Sequence, residues 1–353
     1  MRAVPTFCRH GRFEASCAIC RNEKAKAEPQ ATRPAAKGTA ARRPTSSQTA
    51  ASTGPKRSRT VVTGKLTRNA DDGFRSELLP GIRSSADAMV LAQELTLAEA
   101  RLSAIATDAA GPWAAVAERA SDPSQAFVAA LVIAVASPDD VAGSLVTAAG
   151  ALAALEPAAA ELDDSGTLPG ASAIAEILDA GPRGPRAHDA SGAALAVPAQ
   201  LAQRSAGSLA TGLAGEASWT PERRFARLLD RLALKGLPRA VRYDLLVALG
   251  RAGALPVRAD GLHLGTDQVT DAAKRLFAVA DVALLERRAA ALIEATDVAW
   301  DALELALWNI AGADATGSGA AARWSTAKPA TTLGLPGEVD EEHALTIAAL
   351  LQD

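Results

Sequence analysis

A chain of 353 residues that is 48% hydrophobic but only 3% aromatic can bury a large core, and must fill it with Ala, Leu and Val rather than with rings. No apolar run approaches the roughly 18 residues that span a bilayer, and the first residues lack the basic-then-apolar order of a secretory signal, so a cytoplasmic protein without membrane contact is expected. The net charge of −3 conceals a division: residues 1–68 hold 15 Lys/Arg against 3 Asp/Glu, which leaves 22 basic and 37 acidic residues for the rest.

The first element is "FCRHGRFEASCAIC" (7–20), which contains all three cysteines and one of the four histidines. Three thiols cannot all pair with one another, and a reducing compartment keeps them as thiols, so a disulfide framework is the poorer reading. Cys8, His10, Cys17 and Cys20 spell C-x-H-x6-C-x2-C, two close pairs that a short loop can bring to the corners of a tetrahedron, a donor set that suits zinc. An iron–sulfur cluster is the weaker alternative because it ordinarily takes four cysteines; thiols without a metal are the remaining one. A module of about 20 residues has almost no core, so the metal would supply nearly all its folding free energy. Residues 1–22 are therefore expected to form a zinc knuckle.

Residues 23–75 follow as a disordered basic linker. Ala, Thr, Ser, Pro, Lys and Arg dominate it, and it has too few large apolar residues to offset the entropy of ordering. It is either a solvated tether or an arm that attracts phosphate without sequence preference, with "ARRP" (41–44) and "PKRSR" (55–59) as contact points.

From 76 to 353 the chain reads as all-α. "AMVLAQELTLAEARLSAIA" (88–106) has apolar residues at helical spacing, and "PSQAFVAALVIAVA" (123–136) is apolar nearly all round and belongs in the core. A long irregular piece is expected from Glu161 to Ala194, including the adjacent pair His188 and Asp189, which are either an acid/base pair or turn formers. In "WTPERRFARLLDRLAL" (219–234) Thr220 suits an N-cap and Pro221 the first helical position, with Phe225, Leu228, Leu229 and Leu232 on one face. Arg223 and Arg224 either touch phosphate or sit on a solvated face. Trp219, Trp300 and Trp308 read as core, His263 as a loop residue, and "ATGSGAAARW" (315–324) lacks the Lys-Ser/Thr ending of a phosphate loop.

The run "ALKGLPRAVRYDLLVALGRAG" (233–253) ends one helix near Leu234, turns through Gly236, Leu237 and Pro238, and starts a second near Arg239 with Val241, Leu245, Leu246 and Leu249 inward. This resembles a helix-hairpin-helix, in which free N–H groups at the start of the second helix meet a DNA phosphate, favoured by the helix dipole. Arg239 and Arg242, one turn apart, would flank that phosphate. Pro238 stands where the motif has a second glycine and removes one donor. An ordinary αα-hairpin between core helices is the other reading.

The order that follows, "LHLGTDQVTDAAKRLFAVAD" (262–281), "LLERRAAALIEA" (284–295) and "DALELALWNIAG" (301–312), is similar to the helix-hairpin-helix DNA glycosylase superfamily over about residues 220–312. Together with the Cys/His knuckle, "WTPERRFARLLDRLALKGLPRAVRYDLLVALGRAG" and "AAKRLFAVADVALLERRAAAL" resemble the third clade of alpha-glutamyl/putrescinyl thymine pyrophosphorylase-like proteins. That resemblance implies DNA as partner and chemistry on a modified thymine, an amine displacing pyrophosphate at the 5-methylene carbon. It places the superfamily's acid at Thr266, one residue before Asp267, so Asp267 is the candidate catalytic carboxylate, with Asp271 second. The other reading of Asp267 is a first-turn acid beneath an N-cap Thr266. Lys235 precedes the turn, so no lyase nucleophile is expected. Two classes of function remain: a protein that acts on or recognises a pyrimidine base in DNA, and a zinc-containing nucleic-acid adaptor or protein-interaction scaffold without chemistry. The acidic balance of the body favours the scaffold.

Overall fold

Helices form along the Ala- and Leu-rich segments, and several stop at a glycine (Gly181, Gly215) or at an αL residue (Ser137, Ala278, Asp297). The computed structural model describes residues 71–107, 111–137, 143–155, 168–184, 191–205, 208–315 and 338–352. The chain divides into units 1–60 and 61–353, and every described residue belongs to the second. The zinc-ligand candidates Cys8, His10, Cys17 and Cys20, both basic stretches of the linker, and His188 and Asp189 lie outside the described residues.

The described residues form an all-α architecture without strands. In chain order the helices are α1 (Ser85–Thr107), α2 (Ala114–Ala117), α3 (Pro123–Ala136), α4 (Ser144–Ala153), α5 (Ala171–Ala180), α6 (Ser191–Leu195) and α7 (Val197–Arg204). They continue as α8 (Leu209–Ala214), α9 (Pro221–Arg231), α10 (Arg239–Arg251), α11 (Gln268–Phe277), α12 (Val282–Thr296), α13 (Trp300–Ala315) and α14 (Glu341–Leu350). None among the described residues is long and apolar enough to cross a membrane.

The core is built around α3. Asp122 caps it, accepting from the Ser124 and Gln125 N–H groups at 2.9 and 3.2 Å, and Pro123 occupies its first position. From Ala126 to Ala136 every residue is buried, as expected of a helix apolar on all sides. α10 packs against α3, α1 against α13 and α14, and α11 against α13. Small side chains allow close approach: a Cβ on Gly81 would overlap the carbonyl of Arg275, while the Gly81 N–H donates to the Leu276 carbonyl at 2.9 Å.

Three expectations are corrected. The piece from Glu161 to Ala194 contains α5, because Ile174 and Leu178, four residues apart, bury one face of a short helix. Trp300 is only half-buried, since it starts α13 at the edge of a cleft. Residues just before 76 are packed: Phe74 is buried, and the Asp72 carboxylate accepts from the Ser85 N–H at 2.9 Å.

Candidate nucleic-acid interface

The hairpin between α9 and α10 begins as its residues dictate. The Thr220 hydroxyl accepts from the Arg223 N–H at 3.2 Å, Pro221 takes the first position, and Phe225, Leu228 and Leu229 face the core. α9 stops at Arg231, three residues earlier than expected, and Leu232 and Leu234 are then buried in irregular backbone. Gly236 has φ 91°, a left-handed conformation natural to glycine, and a Cβ there would stand 2.5 Å from that of Ala193 in α6. One side of the bend is therefore covered. The Leu237 N–H donates to the Leu234 carbonyl at 3.2 Å, and the Leu237 side chain is buried.

The other end of the bend carries unpaired donors. Pro238 is the N-cap of α10 and has no side chain that can cap it. Among the described residues nothing accepts from the N–H groups of Gly236, Arg239, Ala240 or Val241, and the first intrahelical bond runs from the Arg242 N–H to the Pro238 carbonyl.

The side chains behave differently from expectation. Arg239 turns inward and is 9% exposed. Its Nε donates to Asp267, its Nη1 to the Leu262 carbonyl at 2.9 Å and its Nη2 to Glu304 Oε1 at 2.6 Å. The guanidinium carbon lies 5.4 Å from the Tyr243 ring centre, and the Tyr243 hydroxyl donates to the Gly261 carbonyl at 3.0 Å. Burial alone would lower the pKa of Arg239, but Glu304 and Asp267 outweigh it and hold the cation above its ordinary range. Arg242 is half-buried and donates through Nη1 to the Leu229 carbonyl. Neither arginine stands at the surface to flank a phosphate.

Asp267, not Thr266, is the N-cap of α11. Its Oδ1 accepts from the N–H and the hydroxyl of Thr270, both at 3.1 Å, and its Oδ2 from Arg239. Burial pushes its pKa up, yet Arg239 and the bonds from Thr270 outweigh this and leave it below the ordinary carboxylate range. Both oxygens are engaged and the charge is compensated, so this carboxylate anchors α11 to α10. Asp271 is an exposed helical acid paired with Lys274 at 3.1 Å, and His263 sits in a loop, 2.8 Å from Asp260.

The sequence reading missed Glu304. It is 1% exposed, and the detectable signal is a lone carboxylate at an inward position of "DALELALW". Elsewhere a cleft of about 640 Å³ is lined by Phe225, Trp300, Arg251 and Arg258 together with five carboxylates, Glu99, Glu222, Asp260, Asp297 and Asp301. Arg251 is held by both oxygens of Asp301, at 2.8 and 2.9 Å, so the balance in this cleft opposes phosphate. Among the described residues no group of His, Cys, Asp or Glu is arranged to hold a metal ion.

No family model matches the chain, and no curated protein or solved structure matches it either.

Proposed function

We propose that this chain is a DNA-binding protein of helix-hairpin-helix glycosylase-like type, which grips the phosphate backbone through the backbone amides at the start of α10 and recognises a pyrimidine base. The observation that carries the reading is the set of four N–H groups, on Gly236, Arg239, Ala240 and Val241, without an acceptor among the described residues. Donors at an uncapped helix start are a ready anion site, because the aligned peptide dipoles favour negative charge there. The nearby carboxylates offset this only in part: Glu304 and Asp267 share the single charge of Arg239, and the N-terminus of α11 takes up some of the remaining negative charge.

Engagement of both Asp267 oxygens favours recognition over chemistry, so the adaptor form of the reading is preferred to an enzyme acting on modified thymine. Cys8, His10, Cys17 and Cys20 would hold a zinc ion that ties together the first 22 residues, and the basic stretch after them would add sequence-independent attraction to the same duplex.

The test is fluorescence anisotropy of the full chain with a labelled DNA duplex, wild type against Ala240→Pro. Proline at the second position of a helix removes one donor and no charge, and Pro198 already holds that position in α7. Loss of one hydrogen bond to a charged group, about 1.5–3 kcal/mol, lowers affinity roughly ten- to a hundredfold with the salt dependence unchanged. Equal affinity of the two proteins, or no binding by the wild type, refutes the reading.

A further inference from the structure

The outer face of α9 carries Arg223, Arg227 and Arg231 at successive turns, all exposed, and Arg204 at the end of α7 stands beside them. None of these four arginines pairs with a carboxylate among the described residues. This happens in a chain whose residues after 68 hold 37 acids and 22 bases, so counter-charge is not scarce. Of the two acids in α9, Glu222 is engaged by Arg258 and Asp230 is exposed at the edge of the row. Like charges four residues apart repel, and a cation in the first turn opposes the helix dipole, so the row costs stability in the free protein.

Two of the four cations are also held in place. Arg231 donates through Nη1 to the Gly212 carbonyl at 3.0 Å, and its guanidinium carbon lies 5.1 Å from the Trp219 ring centre. Arg223 approaches the same ring at 6.0 Å. The Trp219 indole N–H is buried and has no acceptor among the described residues. Beside this group a cleft of about 280 Å³ is lined by Arg204, Ser205, Thr211, Arg231 and Leu201, which brings two guanidiniums and two hydroxyls around a space large enough to admit a phosphate group. Arginines four residues apart are separated by about 6 Å along a helix axis, and each DNA strand carries a charge every ~3.4 Å of its own axis. The row thus spans several consecutive phosphates.

We propose that the outer face of α9, Arg223, Arg227 and Arg231 with Arg204, binds the phosphodiester backbone of DNA. The inference rests on the DNA-binding reading and adds to it a contact made by charge, where the bend makes one by amides. Fixed guanidiniums lose little entropy on meeting phosphate, and their mutual repulsion is relieved when they do.

The experiment measures duplex affinity of the full chain across a salt series for the wild type, Arg223→Ala/Arg227→Ala and Arg223→Lys/Arg227→Lys. Among the described residues these two side chains hold no hydrogen bond, and thermal unfolding of each variant checks that the fold is kept. Removal of two phosphate contacts reduces the slope of log K against log salt by about 1.8, with the loss of affinity growing as salt falls, and the lysine variant restores the slope. A wild type that binds DNA with a slope unchanged in Arg223→Ala/Arg227→Ala overturns this contact and leaves the bend reading standing. A wild type that binds no DNA overturns both.

Discussion

Replacing Arg239 with Met tests whether the buried ion cluster fixes the start of α10. The change removes from Glu304, 1% exposed, its ion pair with Arg239, and deprives the Leu262 carbonyl of the Nη1 donor. Asp267 suffers less, because its side chain is 20% exposed and keeps both bonds from Thr270. Removing one partner of a buried pair costs about 3–5 kcal/mol, a large share of the roughly 5–15 kcal/mol that holds a domain together. Glu304→Gln keeps an acceptor for Arg239 Nη2 and leaves the guanidinium paired with Asp267, so a smaller cost, on the order of 1–2 kcal/mol, is expected. Arg239→Met/Glu304→Leu removes both charges and recovers most of the loss, because a buried pair replaced by apolar groups of similar volume is often neutral. Urea denaturation followed by far-ultraviolet circular dichroism, with an unchanged m value as a check on the denatured state, gives the three free energies. A cost below about 1 kcal/mol for Arg239→Met, or a double variant no more stable than Arg239→Met alone, would show that the cluster carries no coupled burial.

Further outcomes follow from the same structure. Ala278 ends α11 with φ 50° and is exposed, so Ala278→Gly removes an αL penalty and raises stability by about 1 kcal/mol, read as a higher thermal midpoint; a lower midpoint contradicts the strain. Burial raises the pKa of Glu94 despite the bond from Asn309 and the charge of Arg101. Its folded value lies above its unfolded one, so its contribution to stability is present below the ordinary carboxylate range and is lost as pH rises through it to the raised value. Glu94→Gln flattens that part of the stability–pH curve, measured as urea midpoints at successive pH values, and an unaltered slope counts against it. Asp267 runs the other way: its lowered pKa gives stability that is present above the unfolded value and lost as pH falls through the folded one, and Asp267→Asn abolishes this acid-side loss in the same titration. The full chain is expected to carry one zinc ion, with Cys17→Ser losing it by elemental analysis; a metal content unaffected by that change rejects the ligand set.

Sequence and structure agree wherever the chain decides by itself. Thr220 before Pro221 and Pro238 before Arg239 each mark a helix start, because capping and a fixed proline φ involve only neighbours in sequence. The unbroken apolar run of α3 could be placed in the core for the same reason. Where one residue's role depends on a distant one, the sequence misled. α10 looked amphipathic, yet ten of its thirteen residues are buried, because it packs against α3, α9 and α1 while Arg239 and Tyr243 bond to Leu262, Glu304 and Gly261.

What the sequence by itself determined is the helical class, the helix starts and the bend at Gly236, all consequences of backbone sterics and hydrophobic spacing over a few residues. Only the tertiary structure decided which charges point outward. Arg239 pairs with carboxylates 28 and 65 residues away, while Arg223 and Arg227 pair with none among the described residues. A charge finds a buried partner only when packing brings one within a few ångströms, and that distance is set by how α10, α11 and α13 stack, not by anything adjacent to the arginine.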